Sequence, residues 1–313
     1  MSVSTTRSRS LLAHLLLLAV VLVWGTTFTL VKSALTHTTP LLFNLLRMTL
    51  AFIALLAVNA RSLRGLSRRD LGFGALTGLF LALGYQLQTA GLALTTPSRS
   101  AFLTGLVVVI VPLLSAIPGV AATGTLKPTL DTYLGALLAF AGLLLLTTPA
   151  GAGFALFSGL GLGELLSLAC AVAFAAHLLM IARAAPLVSA RRLGTLQIGF
   201  AALVMLVTLP LGGHPTWHPA PVLWIALGVT ALFATAAAFT IQSWAQQHLP
   251  ASHTALIFTL EPVFAWLTSL LFFGEHLGTR AMLGAGLILA GILLGELRPT
   301  TRPGSALLPL TGA

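Results

Sequence analysis

The chain has 313 residues, 57% of them hydrophobic and only 7% charged, with a formal charge of +10 and a mean hydropathy of +1.01. Soluble domains carry about 25% charged residues, so composition excludes an ordinary soluble enzyme or binding module and points to an all-α polytopic membrane protein. The lone cysteine, Cys170, leaves no disulfide framework or thiolate metal cluster, and the basic residues form no contiguous face for nucleic acid.

The N-terminal run MSVSTTRSRSLLAHLLLLAVVLVWGTTFTLV has a basic start and a Leu-rich centre, but no small-x-small cleavage site ends a short apolar region. It reads as an uncleaved first span. Ten apolar runs follow in order, at 11–31, 40–60, 71–93, 98–118, 130–148, 162–182, 193–211, 221–245, 251–273 and 279–297. Each is long enough to cross a hydrocarbon core of about 30 Å as a helix, and none alternates as barrel strands do. Pro40, Pro97, Pro118-Gly119, Gly212-Gly213, Pro250 and Gly274 punctuate the connectors. Lys and Arg gather on the side of the N-terminus, which places both termini in the cytoplasm and the protein in the inner (plasma) membrane, with the lipid bilayer as its surroundings.

Two stretches repeat. AFLTGLVVVIVP (101–112) lies over ASHTALIFTLEP (251–262), and YLGALLAFAGLLLL (133–146) over MLGAGLILAGILLG (282–295). Five spans per half force the second half to enter the membrane upside down, the inverted repeat of many secondary transporters. The expected organisation is a first repeat over 1–148, a Gly-rich linker over 149–163, a second repeat over 164–297 and a cytoplasmic tail over 298–313. Matched prolines in two such halves point to a midplane site with Pro112 and Pro262 as kinks that gate it.

Glu261, directly before Pro262, is a carboxylate within an apolar run, where a charge costs on the order of 2.5–3.5 kcal/mol and needs a partner, a proton or water. Unlike a guanidinium, a carboxyl can lose its charge by taking up a proton, so Glu261 is a candidate for proton coupling. Arg47, behind Pro40 and Asn44, keeps its charge. It is read either as an anchor for an anionic substrate group, as the partner of Glu261 or of helix-end carbonyls, or as a side chain reaching the interface. Trp24 and Thr27 suggest one wall of an amphipathic cavity. Tyr85 and Gln88 in the third span, with Gln242 and Trp244 in the eighth, are either interhelical glue or cavity lining. Lys32 is expected to be solvated at headgroup level and Glu275 to pair with Arg280. His14 and His177 read as satisfied core residues. The GxxxG spacings Gly74/Gly78 and Gly291/Gly295 serve close packing within the bundle or in a homo-oligomer.

The runs WGTTFTLVKSAL (24–35), PLLFNLLRM (40–48), YQLQTAGLALTTPSRSAFLTGLVVVIVPLL (85–114), LGALLAFAGLLLL (134–146) and LEPVFAWLTSLLFFGEHLGTRAMLGAGLILAGILL (260–294) resemble paired EamA domains of the drug/metabolite transporter superfamily. The resemblance implies ten helices, cytoplasmic termini and a central cavity for a small-molecule substrate, with amino acids or related metabolites exported by alternating access. It implies no enzyme activity and no cofactor. Two other classes compete: a membrane-embedded transferase acting on a lipid-linked substrate, which needs carboxylates or histidines clustered at one interface, and a non-transporting scaffold or receptor, which needs neither matched prolines nor buried charge.

Overall fold

The computed structural model describes residues 2–117, 119, 130–147, 160–249, 254 and 257–296. The expected linker lies outside the described residues except for 160–163, as do the tail over 298–313 and the start of the ninth run at 251–253. Twelve α-helices are present among the described residues: α1 (Ser2–Ala34), α2 (Pro40–Asn59), α3 (Arg68–Leu94), α4 (Pro97–Gly105), α5 (Val107–Ser115), α6 (Leu130–Thr147), α7 (Leu162–Ala184), α8 (Ala190–Thr208), α9 (Pro221–Ala231), α10 (Ala238–Ala245), α11 (Glu261–Phe273) and α12 (Thr279–Glu296). No strand occurs among these residues beyond an isolated bridge between Thr38 and Trp217. Six helical stretches are long and apolar enough to cross a membrane, and Tyr133–Leu146, Glu261–Phe273 and Thr279–Gly291 are shorter apolar helices.

Local chemistry sets the boundaries. Pro40, Pro97 and Pro221 stand in the first turn of α2, α4 and α9, where a missing N–H costs nothing. Ser67 and Asp70 form a reciprocal capping box that starts α3. Ser189 accepts from the Arg192 N–H to start α8, and Gly274, at φ +61°, closes α11 in the left-handed conformation that glycine tolerates.

The interface between the earlier and later parts of the chain is extensive. α3 lies against α7 and α8, while α9 lies against α1 and α2, and α10 against α1. Glycines permit the closest approaches: Gly74 and Gly78 face Leu196 and Phe200, and Gly91 faces Ser167. α6 packs chiefly on α12, main chain against main chain, at Gly142, Gly284 and Gly291. The Gly74/Gly78 spacing therefore serves contact inside the chain.

Three of the helical runs are interrupted. The fourth run turns at Leu106, between α4 and α5, whereas Pro112 sits inside α5. The expected kink at Pro112 is thus displaced toward Gly105. Pro262 occupies the first turn of α11, directly after a turn at Thr259 and Leu260. The eighth run contains a π-helical turn over Leu232–Ala237, between α9 and α10. Sequence reasoning had no signal for it.

Candidate functional site

α1, α2, α3, α4, α5, α7, α10 and α11 surround a cavity. Trp24, Thr27, Arg47, Tyr85, Gln88, Gln242 and Glu261, all singled out in the sequence, line it together. Asn44 and Trp244 do not. Asn44 is fully buried behind the wall, donating to the Tyr85 carbonyl at 2.9 Å and accepting from Thr89 at 3.1 Å. Trp244 stacks on His248 with ring centres 4.5 Å apart.

Arg47 is buried, with no carboxylate partner among the described residues. Its Nε donates to Thr235 Oγ1 at 2.7 Å, and its Nη2 to Tyr85 Oη at 2.9 Å and the Ala234 carbonyl at 3.2 Å. The guanidinium also stands over the Tyr85 ring, 4.2 Å from its centre, a cation–π contact. Among the described residues it forms no ion pair with Glu261; of the sequence alternatives, the carbonyl partner is the one seen, with hydroxyls added. The π-turn explains how. A widened turn releases carbonyls from the helical ladder, and the Ala234 carbonyl accepts from Trp24 Nε1 at 2.8 Å as well as from Arg47. One irregular turn thereby fixes two cavity residues from two other helices.

Glu261 faces the cavity and makes no hydrogen bond or ion pair among the described residues. The cavity therefore holds a guanidinium tied to neutral acceptors and a carboxylate left to the space itself. Aromatic rings fill much of the rest: Trp24 meets Phe258 edge-on at 5.1 Å and Phe239 at 5.4 Å, and Tyr85 meets Phe174 at 5.4 Å.

His177 belongs to this wall too, a placement its isolation in the sequence did not suggest. Its Nε2 lies 2.8 Å from Gln197 Oε1. Gln197 Nε2 donates to Ser243 Oγ, which itself donates to the Phe239 carbonyl. That chain ties the ring of His177 to α8 and α10 through the Gln197 amide. Phe174 and His177 precede the end of α7 at Ala184 as Trp24 and Thr27 precede the end of α1 at Ala34. Carrying the repeat through the sixth run would have found them.

A second, more open groove lies at the distal end, where α1 and α3 finish, between Lys32, Thr95, Ser269 and Glu275. Lys32 is not merely solvated: its Nζ donates to the carbonyls of Leu92, Ala93 and Thr95 at 2.8, 3.0 and 2.9 Å, a cation on a helix C-terminus. Glu275 Oε2 accepts from Ser98 Oγ at 2.8 Å and Ser269 Oγ at 2.5 Å, partners other than the expected Arg280. Glu164 Oε1 accepts from Thr95 Oγ1 at 2.5 Å and lies 3.7 Å from Arg99. At the proximal end, where the N-terminus lies, Arg192 binds Asp70 at 3.1 Å and the Ser62 and Arg64 carbonyls. The Ser67 backbone N–H above all, then its hydroxyl and Arg192, outweigh burial and hold the Asp70 carboxyl below its ordinary range.

Residues 11–148 and 161–295 match the model of the EamA-like transporter family. An "Uncharacterized transporter" of Archaeoglobus fulgidus is 32% identical over 292 residues, covering 93% of this chain and 87% of that protein. A solved structure described as "Crystal structure of protein" superposes with a TM-score of 0.64, over 91% of this chain and 96% of the other, at 21% identity. At that identity the likeness speaks for the fold.

Proposed function

The chain belongs to the EamA-like transporter family, a family of the drug/metabolite transporter superfamily, and on that premise we propose that this membrane transporter is a secondary carrier of small metabolites, amino acids or related compounds among them. It exports them by alternating access. The single observation that carries the reading is the cavity, which brings Arg47 and Glu261 into one largely apolar space and leaves Glu261 without a partner among the described residues. A buried ionisable group within a membrane helix is by default a functional group, and an apolar pocket with a few convergent polar groups suits a small solute.

Ten membrane crossings, arranged as two inverted five-helix repeats, accommodate the described helices, with the interrupted stretches counted as single crossings. The distribution of Lys and Arg supports cytoplasmic termini, in the inner (plasma) membrane. Under this orientation the distal end faces out, and the groove beside Lys32 and Glu275 is the outer approach to the cavity. Glu261 takes up and releases the proton that couples transport to the gradient.

The test is a panel of amino acids and related metabolites in proteoliposomes, with and without an imposed pH gradient. Glu261→Gln is expected to abolish gradient-driven transport while leaving substrate exchange. Unchanged proton dependence in that variant refutes the coupling role. Absence of transport across the panel, together with turnover of a lipid-linked substrate, refutes the carrier itself.

A further inference from the structure

The Glu261–Pro262 corner is seated between two glycines from other helices. On one side is Gly25 of α1. A Cβ there would stand 2.8 Å from the Glu261 carbonyl oxygen, 3.0 Å from the Ala265 nitrogen and 2.6 Å from Phe264 Cβ. On the other side is Gly105, the last residue of α4 before its turn at Leu106. A Cβ there would stand 2.9 Å from Pro262 Cγ and 3.7 Å from Pro262 Cδ. Contacts under 3 Å force something to move, because close-packed interiors have no slack of that size. A proline ring cannot swing aside, since its atoms are closed onto the backbone.

Position distinguishes this pair: Gly84 and Gly91 also adjoin cavity-lining residues, Tyr85 and Leu92, but neither meets the Glu261–Pro262 corner. Gly142, Gly284 and Gly291 join α6 to α12, away from the cavity lining. The chain neighbours of the two seat glycines, Trp24 and Thr104, both line the cavity, as does Glu261 itself. Any shift of the corner against α1 or α4 therefore moves the carboxylate relative to the wall it faces.

We infer that Gly25 and Gly105 are positioning residues that fix where the Glu261 carboxylate stands in the cavity, with Gly105 acting through the ring of Pro262. The two sides differ in a way that can be used. Gly25 opposes main chain as well as Phe264 Cβ, and no single substitution removes the main-chain part. Among the described residues Gly105 opposes only the Pro262 ring, which alanine removes. The inference rests on the proposed transport site only in taking Glu261 as its carboxylate. It can be read without substrate or transport, so each can fail while the other stands.

The experiment treats the purified full-length chain in detergent with a hydrophobic carbodiimide and quantifies the adduct on Glu261 by peptide mass spectrometry. The adduct on Glu275, at the distal end, serves as internal reference. Gly105→Ala is expected to change the Glu261 adduct at least threefold and to leave Glu275 unchanged. In the Pro262→Ala background, the same Gly105→Ala substitution is expected to change it less than 1.5-fold, the signature of a direct pairwise effect. An unchanged Glu261 adduct in Gly105→Ala overturns the inference, as does an equal change in both backgrounds. Should Gly105→Ala with Pro262 present fail to give monodisperse protein, Pro262→Ala alone decides: it vacates the seat from the other side, and an unchanged Glu261 adduct there overturns the inference.

Discussion

Two corners of the bundle, each following the third helical run of its half, are held very differently. At the distal corner between α3 and α4, Lys32, Glu164 and Glu275 reach in from α1, α7 and the end of α11. They bind the released carbonyls of α3, the Thr95 hydroxyl and Ser98 at the start of α4, at distances from 2.5 to 3.0 Å. At the proximal corner after α10 the work falls to amides. Gln247 Nε2 reaches the Ala185 and Val188 carbonyls at 3.3 and 3.4 Å, and the buried Gln246 has neither side-chain atom bonded among the described residues. Charge-assisted hydrogen bonds are roughly twice as strong as neutral ones. Among the described residues the distal corner is therefore held by charge-assisted bonds and the proximal one by longer, neutral amide bonds, although a repeated architecture frames both.

The sharpest way to break that contrast is Lys32→Met. It leaves the Leu92, Ala93 and Thr95 carbonyls without their cation, and the expected loss is on the order of 2 kcal/mol, read as a lower unfolding midpoint in detergent. A cysteine placed at Thr95 should also react faster with a water-soluble maleimide in that variant. Equal stability and equal labelling would show that the distal corner is held by packing alone.

A smaller, pH-dependent effect is expected from Asp70→Asn, which probes a charged contact on the proximal side. Because the folded carboxyl sits below its ordinary value, its contribution is present in full above about pH 4 and fades as pH falls through the folded value. The variant should melt below the native protein at pH 7, and the gap should close toward pH 3. A gap independent of pH would assign the loss to something other than the carboxylate charge.

The smallest effect belongs to Gln246→Leu. Replacing a buried amide whose atoms bond to nothing described here should be neutral or slightly stabilising, within about 1 kcal/mol. A loss as large as that of Lys32→Met would erase the difference between the corners.

The membrane class and the repeated runs were readable from composition and spacing, because apolar runs of bilayer length and matched Pro-containing segments are properties of the chain itself. The gathering of Trp24, Arg47, Tyr85, Gln88, Gln242 and Glu261 around one space was approached by the same route, since each is a polar or amphipathic residue in apolar surroundings. What escaped depends on geometry between helices. The turn at Leu106 rather than Pro112 involves Gly105, whose significance appears only when Pro262 stands against it. Trp244 and Asn44 carry the right chemistry but point elsewhere, and a run of residues does not state which face of its helix meets the cavity. Lys32 looked like an interfacial cation because the α3 carbonyls that hold it come from a helix far away in sequence.

The π-turn at Leu232–Ala237 also says something about insertion and deletion. Such a turn absorbs an additional residue while the helix on either side keeps its facing, so the eighth run carries slack that an unbroken helix lacks. Removing one residue from 232–237 would straighten the run and leave Phe239 and Gln242 toward the cavity, but would withdraw the Ala234 carbonyl from Trp24 and Arg47. The same single-residue deletion inside α9, with the π-turn kept, would rotate everything after it by about 100° and turn α10's cavity face away. Length changes in this helix are thus tolerable at one place and ruinous a turn earlier.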